Sequence, residues 1–170
     1  MGKGILKMRI GFTGSQRGMS AFQKNELRKL LKLKGATEFV FGDCIGSDYE
    51  AACIALLEGI LQFSIYPQNK DTRKRAWFLN PEKDITRENG QWTNINGLLD
   101  NKEVIYSIRW YPGEPPLSRN MRIVDACDYV IATPKEFEHT LRSGTWATIR
   151  YAWKHKKDKI TIIPPLERDE

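Results

Sequence analysis

Apolar segments of strand length alternate with segments of helical periodicity along this chain, and turn-forming loops follow the strands. Residues 8–13, 38–41 and 62–67 read as short buried strands. Between the first two, Phe22, Leu27, Leu30 and Leu31 recur at helical spacing from Ser20 onward, and Gly35 supplies a C-cap. Between the second and third, Ala51, Ala52, Ile54, Ala55 and Leu56 form a tightly packing helix with Ser47 or Asp48 as its N-cap. The pattern resumes with an amphipathic helix over 117–127, a strand over 128–133, a helix over 147–156 and a last strand over 159–163 stopped by Pro164 and Pro165. Such alternation requires right-handed crossovers and a mostly parallel sheet of five strands or slightly more, covered by helices on both faces.

In sheets of this kind ligands bind outside the carboxyl ends of the strands, so three separate loops are predicted to share one rim. The first is Gly11-Phe12-Thr13-Gly14-Ser15-Gln16-Arg17, with hydroxyls, amides and a cation directly after a strand. It lacks the spacing of a dinucleotide fingerprint and the Gly-Lys-Ser/Thr ending of a P-loop, which excludes ordinary ATP hydrolysis on those motifs. The second is Gly42-Asp43-Cys44-Ile45-Gly46-Ser47-Asp48, where Asp43 is positioned to accept ribose hydroxyls and Asp48 either caps the helix or joins the site. The third, after Thr133, is Arg142-Ser143-Gly144-Thr145-Trp146 at the start of a helix, whose free amides, hydroxyls and guanidinium fork suit a phosphate. Arg119 and Asn120 open another helix, Arg119 to meet a phosphate or base edge and Asn120 to hold a neighbouring loop. The predicted ligand set is therefore Thr13, Gly14, Ser15, Arg17, Gly42, Asp43, Arg119, Asn120, Thr133 and Arg142 to Trp146.

Residues 68–116 interrupt the rhythm. An unstructured loop of that length is improbable, so short helices or a small hairpin covering the site are expected there, with 104–110 as a strand. Trp77 and Trp110 within it could stack on a base or pack in the core, and Trp153 is expected against the sheet. At 170 residues the chain makes one domain. The formal charge of +6 favours anionic ligands without fixing their size.

Cys44, Cys53 and Cys127 show no Cys-x-x-Cys spacing and fit a reducing compartment, and Cys44 has no His nearby to activate it. His139 and His155 are too isolated for a metal centre, so neither a metal nor a required cofactor is expected. The Lys154-His155-Lys156-Lys157 run complements a helix C-terminus. With no apolar run of membrane length and no leader-like start, a cytoplasmic protein without membrane attachment is expected.

The motifs at 11–15, 42–48, Arg119-Asn120 and 143–145, taken in that order, resemble the SLOG superfamily over most of the chain. That superfamily groups Rossmann-like nucleotide-binding domains, among them the LOG phosphoribohydrolases, the DNA-processing protein DprA and sensor domains of TIR immune signalling. The resemblance implies a Rossmann-like three-layer α/β fold with an insertion at about 68–116. It also implies a nucleotide-like small-molecule ligand for sensing or sequestration, and a homodimer or higher homo-oligomer. LOG enzymes resemble Pro-Gly-Gly-x-Gly-Thr-x-x-Glu at the last loop, whereas here Thr148 stands in the glutamate's position. An N-glycosidase or phosphoribohydrolase acting on nucleoside monophosphates or NAD-like compounds therefore needs its acid from elsewhere, with Asp43, Glu114 and Asp125 as candidates. A third expectation, from DprA, is single-stranded nucleic-acid binding through Lys70, Arg73, Lys74 and Arg75.

Overall fold

The computed structural model describes residues 6–79, 92–99 and 101–166. Its elements in chain order are β1 (Arg9–Gly14), α1 (Ala21–Lys34), β2 (Glu38–Phe41), α2 (Ser47–Leu57), β3 (Gln62–Ile65), β4 (Trp92–Leu99), β5 (Lys102–Trp110), α3 (Pro116–Ala126), β6 (Tyr129–Thr133), α4 (Gly144–His155) and β7 (Ile160–Ile162), with a 3-10 turn at Thr72–Lys74. The seven strands form one sheet in the order β4-β5-β3-β2-β1-β6-β7. Every neighbouring pair is parallel except β4 with β5.

Period-two alternation on the central strands sorts the core into two layers. Ile10, Phe12, Phe39, Phe41, Phe63 and Ile65 pack with Leu27 and Leu31 of α1 and Ala51, Ala52 and Ala55 of α2. Val40 and Val130 instead meet Ile123 and Val124 of α3 and Ala152 of α4, while Ala132 packs with Trp146 and Ile149. The result is the three-layer α/β sandwich that the alternation predicts.

Helix α1 starts on a capping box, in which Ser20 accepts from the Gln23 amide and Gln23 returns a bond to the Ser20 amide, and ends at left-handed Gly35. The Gln23 side chain is buried and also donates to the carbonyls of Pro134 (2.8 Å) and Ile163 (2.9 Å). It thus ties α1 to the exits of β6 and β7. Helix α2 departs from the predicted cap: Gly46, not Ser47 or Asp48, is its N-cap, at φ 83° and ψ −128°. Helix α4 begins three residues before the predicted start, at Gly144, with Ser143 capping it by accepting from the Trp146 amide at 3.2 Å.

The hairpin expected to cover the site extends the sheet instead. Strand β5 pairs with β3 in parallel, and β4 pairs back on β5 from Trp92 opposite Arg109 to Leu99 opposite Lys102, with Asn101 in the left-handed region at the turn. Apolar β5 residues explain this outcome: Ile108 and Trp110 complete the layer under α1 and α2, burial that a detached flap would forgo. The part of the insertion between 80 and 91 lies outside the described residues.

Candidate functional site

The loops leaving β1, β2 and β6 meet at the carboxyl end of the sheet and, with the start of α3, enclose a cleft of about 520 Å³. That volume is within the range of small-molecule sites. Residues 13–17 form its floor, Cys44 and Asp48 one wall, Arg119, Asn120 and Ile123 a second, and Lys135, Glu136, Thr140 and 142–145 the third. The floor is stitched to both sides: the Ser15 amide donates to the Thr133 carbonyl at 3.3 Å, and the Ser15 carbonyl accepts from the Ser47 amide at 3.0 Å.

The glycines of these loops have two different roles. A Cβ at Gly14 would strike the Thr133 hydroxyl and Ser47, one at Gly42 would strike the Arg119 guanidinium, and one at Gly46 would strike the Gln16 backbone. These three let protein approach protein. At Gly144 nothing lies within 4 Å of an added Cβ, so this glycine alone of the four leaves room for a ligand. As the first two residues of α4, Gly144 and Thr145 have amides with no intrahelical acceptor, and the helix dipole adds partial positive charge there. Arg17 and Arg142 are exposed on the rim and make no ion pair among the described residues.

Ten of the predicted ligand residues line the cleft: Thr13, Gly14, Ser15, Arg17, Arg119, Asn120, Arg142, Ser143, Gly144 and Thr145. Four do not. Gly42 is packed against Arg119. Thr133 is fully buried beneath Gly14, its hydroxyl without a hydrogen-bond partner. Trp146 faces away, packed edge-on to His139 and tilted against Trp153. Asp43 is the main correction: φ of 57° swings its side chain to the far side of the loop, where it accepts from the Phe78 amide (2.9 Å) and Arg75 Nη2 (3.2 Å). Asp43 is fully buried, which raises its pKa, and it does not line the cleft.

The other nominated acids also lie elsewhere. Glu114 pairs with Arg122 at 2.6 Å, and Asp125 accepts from the Tyr151 hydroxyl at 2.9 Å. Thr148 is buried and donates back to the Gly144 carbonyl, so it does not stand in for a carboxylate. The carboxylates that do line the cleft are Asp48 and Glu136. Asp48 Oδ2 accepts from the amides of Gly42 and Cys44, both at 3.2 Å, and burial pushes its pKa up to about 6. Glu136 has one oxygen sealed from solvent with no hydrogen-bond partner. Sequence reasoning passed over Lys135, Glu136 and Thr140, although their position after β6 is the same signal that marked the other loops.

Arg119 organises the inner wall. Its Nη1 donates to the carbonyls of Gly42 (3.1 Å) and Tyr66 (3.3 Å), Nη2 to Cys44 Sγ (3.5 Å) and Nε to Asn120 Oδ1 (2.7 Å). A guanidinium so occupied holds the wall together and contributes charge rather than a free fork. Cys44 stays a thiol, because burial pushes its pKa up to about 11, which rules out a resting thiolate nucleophile.

The aromatic and basic residues of the insertion are engaged with one another. The Arg75 guanidinium carbon lies 3.8 Å from the centre of the Trp77 ring and 5.6 Å from that of buried Trp110, and Arg73 pairs with Asp71. Of the four cations proposed for nucleic acid, Lys70 and Lys74 alone lack an ion pair among the described residues.

No family model matches this chain, and neither does any curated protein. A solved structure does: the molybdenum cofactor binding protein of the phototrophic bacterium Rippkaea orientalis, at a TM-score of 0.58. The shared property is the fold. Sequence identity is 17%, and the match spans 95% of this chain and 78% of the other. No group of three or more His, Cys, Asp or Glu side chains able to hold a metal occurs among the described residues, and no described helix is long and apolar enough to cross a membrane.

Proposed function

We propose that the cleft binds a nucleotide or nucleotide-derived small molecule, for sensing or sequestration, and that the chain is a SLOG-type domain. The observation carrying this reading is the start of α4: two amides free of partners and open space at Gly144, with Arg142 and Arg17 on the same rim making no ion pair among the described residues. A phosphate there would receive backbone N–H bonds, the Ser15 hydroxyl proton and two cations. The Ser15 oxygen already accepts from the Arg17 amide at 3.1 Å, which orients that hydroxyl. The fold shared with a molybdenum cofactor binding protein supports a small-molecule cargo and adds that cofactor to the compounds worth trying.

Calorimetric titration with nucleoside mono- and diphosphates, NAD and molybdenum cofactor tests the reading, and at least one should bind. Gly144→Val should reduce that affinity roughly tenfold or more, equivalent to about 1.4 kcal/mol. It should leave the melting temperature close to wild type, because the added Cβ meets only open space. Equal affinity in wild type and variant would place the phosphate elsewhere. Ser143→Ala should cost about 1 kcal/mol of stability through loss of the cap.

A second reading, base release from a bound nucleotide, is favoured by one observation: Asp48 is a buried carboxylate on the cleft wall with its pKa raised to about 6, suited to proton transfer near neutral pH. Chromatography of nucleotides incubated with the protein separates the two. Free base in wild type, absent in Asp48→Ala, would make it an enzyme. Intact ligand recovered after prolonged incubation would make it a binder.

A further inference from the structure

The two ends of the cleft differ in chemistry. Helix α4 follows β6, whereas the loop carrying Cys44 and the first turn of α2 carrying Asp48 follow β2, and these strands flank β1 on opposite sides. The anion end and the Asp48 wall therefore spring from points two strand spacings apart, roughly 10 Å. That is farther than a sugar hydroxyl lies from its own phosphate ester, and it suits the distance from a phosphate to the heterocycle of the same nucleotide.

Asp48 is 7% exposed, and Oδ2 is committed to the Gly42 and Cys44 amides. Oδ1 receives no hydrogen bond among the described residues. The nearby cation does not cover it, since Arg119 directs its donors at two carbonyls, a thiol and Asn120. The wall thus offers a ligand an acceptor with no accompanying donor from the same side chain. An exocyclic amino group on the ring satisfies it. An oxo group in the same position sets lone pairs against lone pairs in a buried site, where an unmet acceptor is costly.

We propose that Asp48 makes the cleft selective for amino-bearing nitrogen heterocycles over their oxo counterparts. The inference rests on the nucleotide reading of the cleft and names which nucleotides fit. Burial pushes the Asp48 pKa up only to about 6, so the side chain is an acceptor at neutral pH.

The test compares matched pairs at pH 7.5 by calorimetry: AMP with IMP, CMP with UMP, and GMP with xanthosine monophosphate. In wild type, the amino member of the best-binding pair should be favoured by about tenfold or more. In Asp48→Asn the amide oxygen can keep the Gly42 and Cys44 bonds while the new NH₂ group faces the ring, so the preference should reverse. Equal affinities within every wild-type pair would overturn the proposal while leaving nucleotide binding intact. So would an unchanged preference in a folded Asp48→Asn protein. Failure of all six compounds to bind would overturn the proposal, while the nucleotide reading would still be decided by the diphosphates, NAD and molybdenum cofactor. Should Asp48→Asn not fold, the wild-type comparison decides by itself.

Discussion

Replacing Arg119 by leucine should lower stability by about 3–5 kcal/mol, measured by denaturant unfolding at pH 7.5. Arg119 is 7% exposed, and its removal leaves the carbonyls of Gly42 and Tyr66 without these donors and the Asp48 carboxylate without its nearby positive charge. The electrostatic part of the loss depends on pH. Asp48 has a native pKa near 6, above its usual 3.8, so below pH 6 the native state takes up a proton there that the unfolded chain releases until pH 4. Its ionised form is therefore a burden on the fold that is full above pH 6 and fades as pH falls through that value. Without Arg119 the carboxylate is raised further, so the gap between Arg119→Leu and wild type should be widest well above pH 6 and narrow as pH falls toward 6, while the part owed to the carbonyls remains. Arg122→Leu removes an exposed pair with Glu114 and should cost less than about 1 kcal/mol. If Arg119→Leu costs no more than Arg122→Leu, Arg119 is not the tie that its geometry indicates.

Gly46→Ala should be nearly as damaging, about 3 kcal/mol or more, and should abolish ligand binding. Two effects add. Gly46 lies at φ 83° and ψ −128°, a region closed to side chains, and its Cβ would collide with the Gln16 backbone. Relief requires the β1 and β2 loops to part, breaking the Ser47–Ser15 bond that fixes the cleft floor. Gly59 separates the terms: its φ is 89°, but nothing lies within 4 Å of an added Cβ. Gly59→Ala should therefore show the strain alone, about 1 kcal/mol, and bind ligand normally. Matching losses at Gly46 and Gly59 in thermal melts would mean that the loops are not interlocked.

Residue periodicity carried the architecture. A continuous apolar run at Phe39, Val40 and Phe41 and helical spacing at Leu27 and Leu31 placed strands and helices within a few residues, and the carboxyl-end rule gathered the loops. Side-chain direction was much less legible. Asp43 and Asp48 belong to one sequence motif, yet the left-handed backbone at Asp43 sends it into the insertion, while Asp48, in the first turn of α2, turns back toward the cleft. Either residue type tolerates a cap, a turn or a ligand contact, so spacing by itself could not choose. Gly14, Gly42 and Gly144 look alike as letters; only three-dimensional neighbours show that two are filled by protein and one is open. The hairpin was partly visible as a strand near 104–110, but its place at the sheet edge depends on Ile108 and Trp110 joining a core built by residues far earlier in the chain.

The position of β1 between β2 and β6 also governs when the cleft can exist. During synthesis the ribosome delivers β1, α1, β2, α2 and β3 first, enough to assemble one helical layer over three neighbouring strands. Gly14 and Ser15 then wait beside an unsatisfied edge until Thr133, more than a hundred residues later, arrives to accept the Ser15 amide. Non-local pairing of this kind is slow to form. The cleft is thus a late acquisition of the emerging chain, and a ligand bound there as proposed would hold together the two halves that synthesis releases apart.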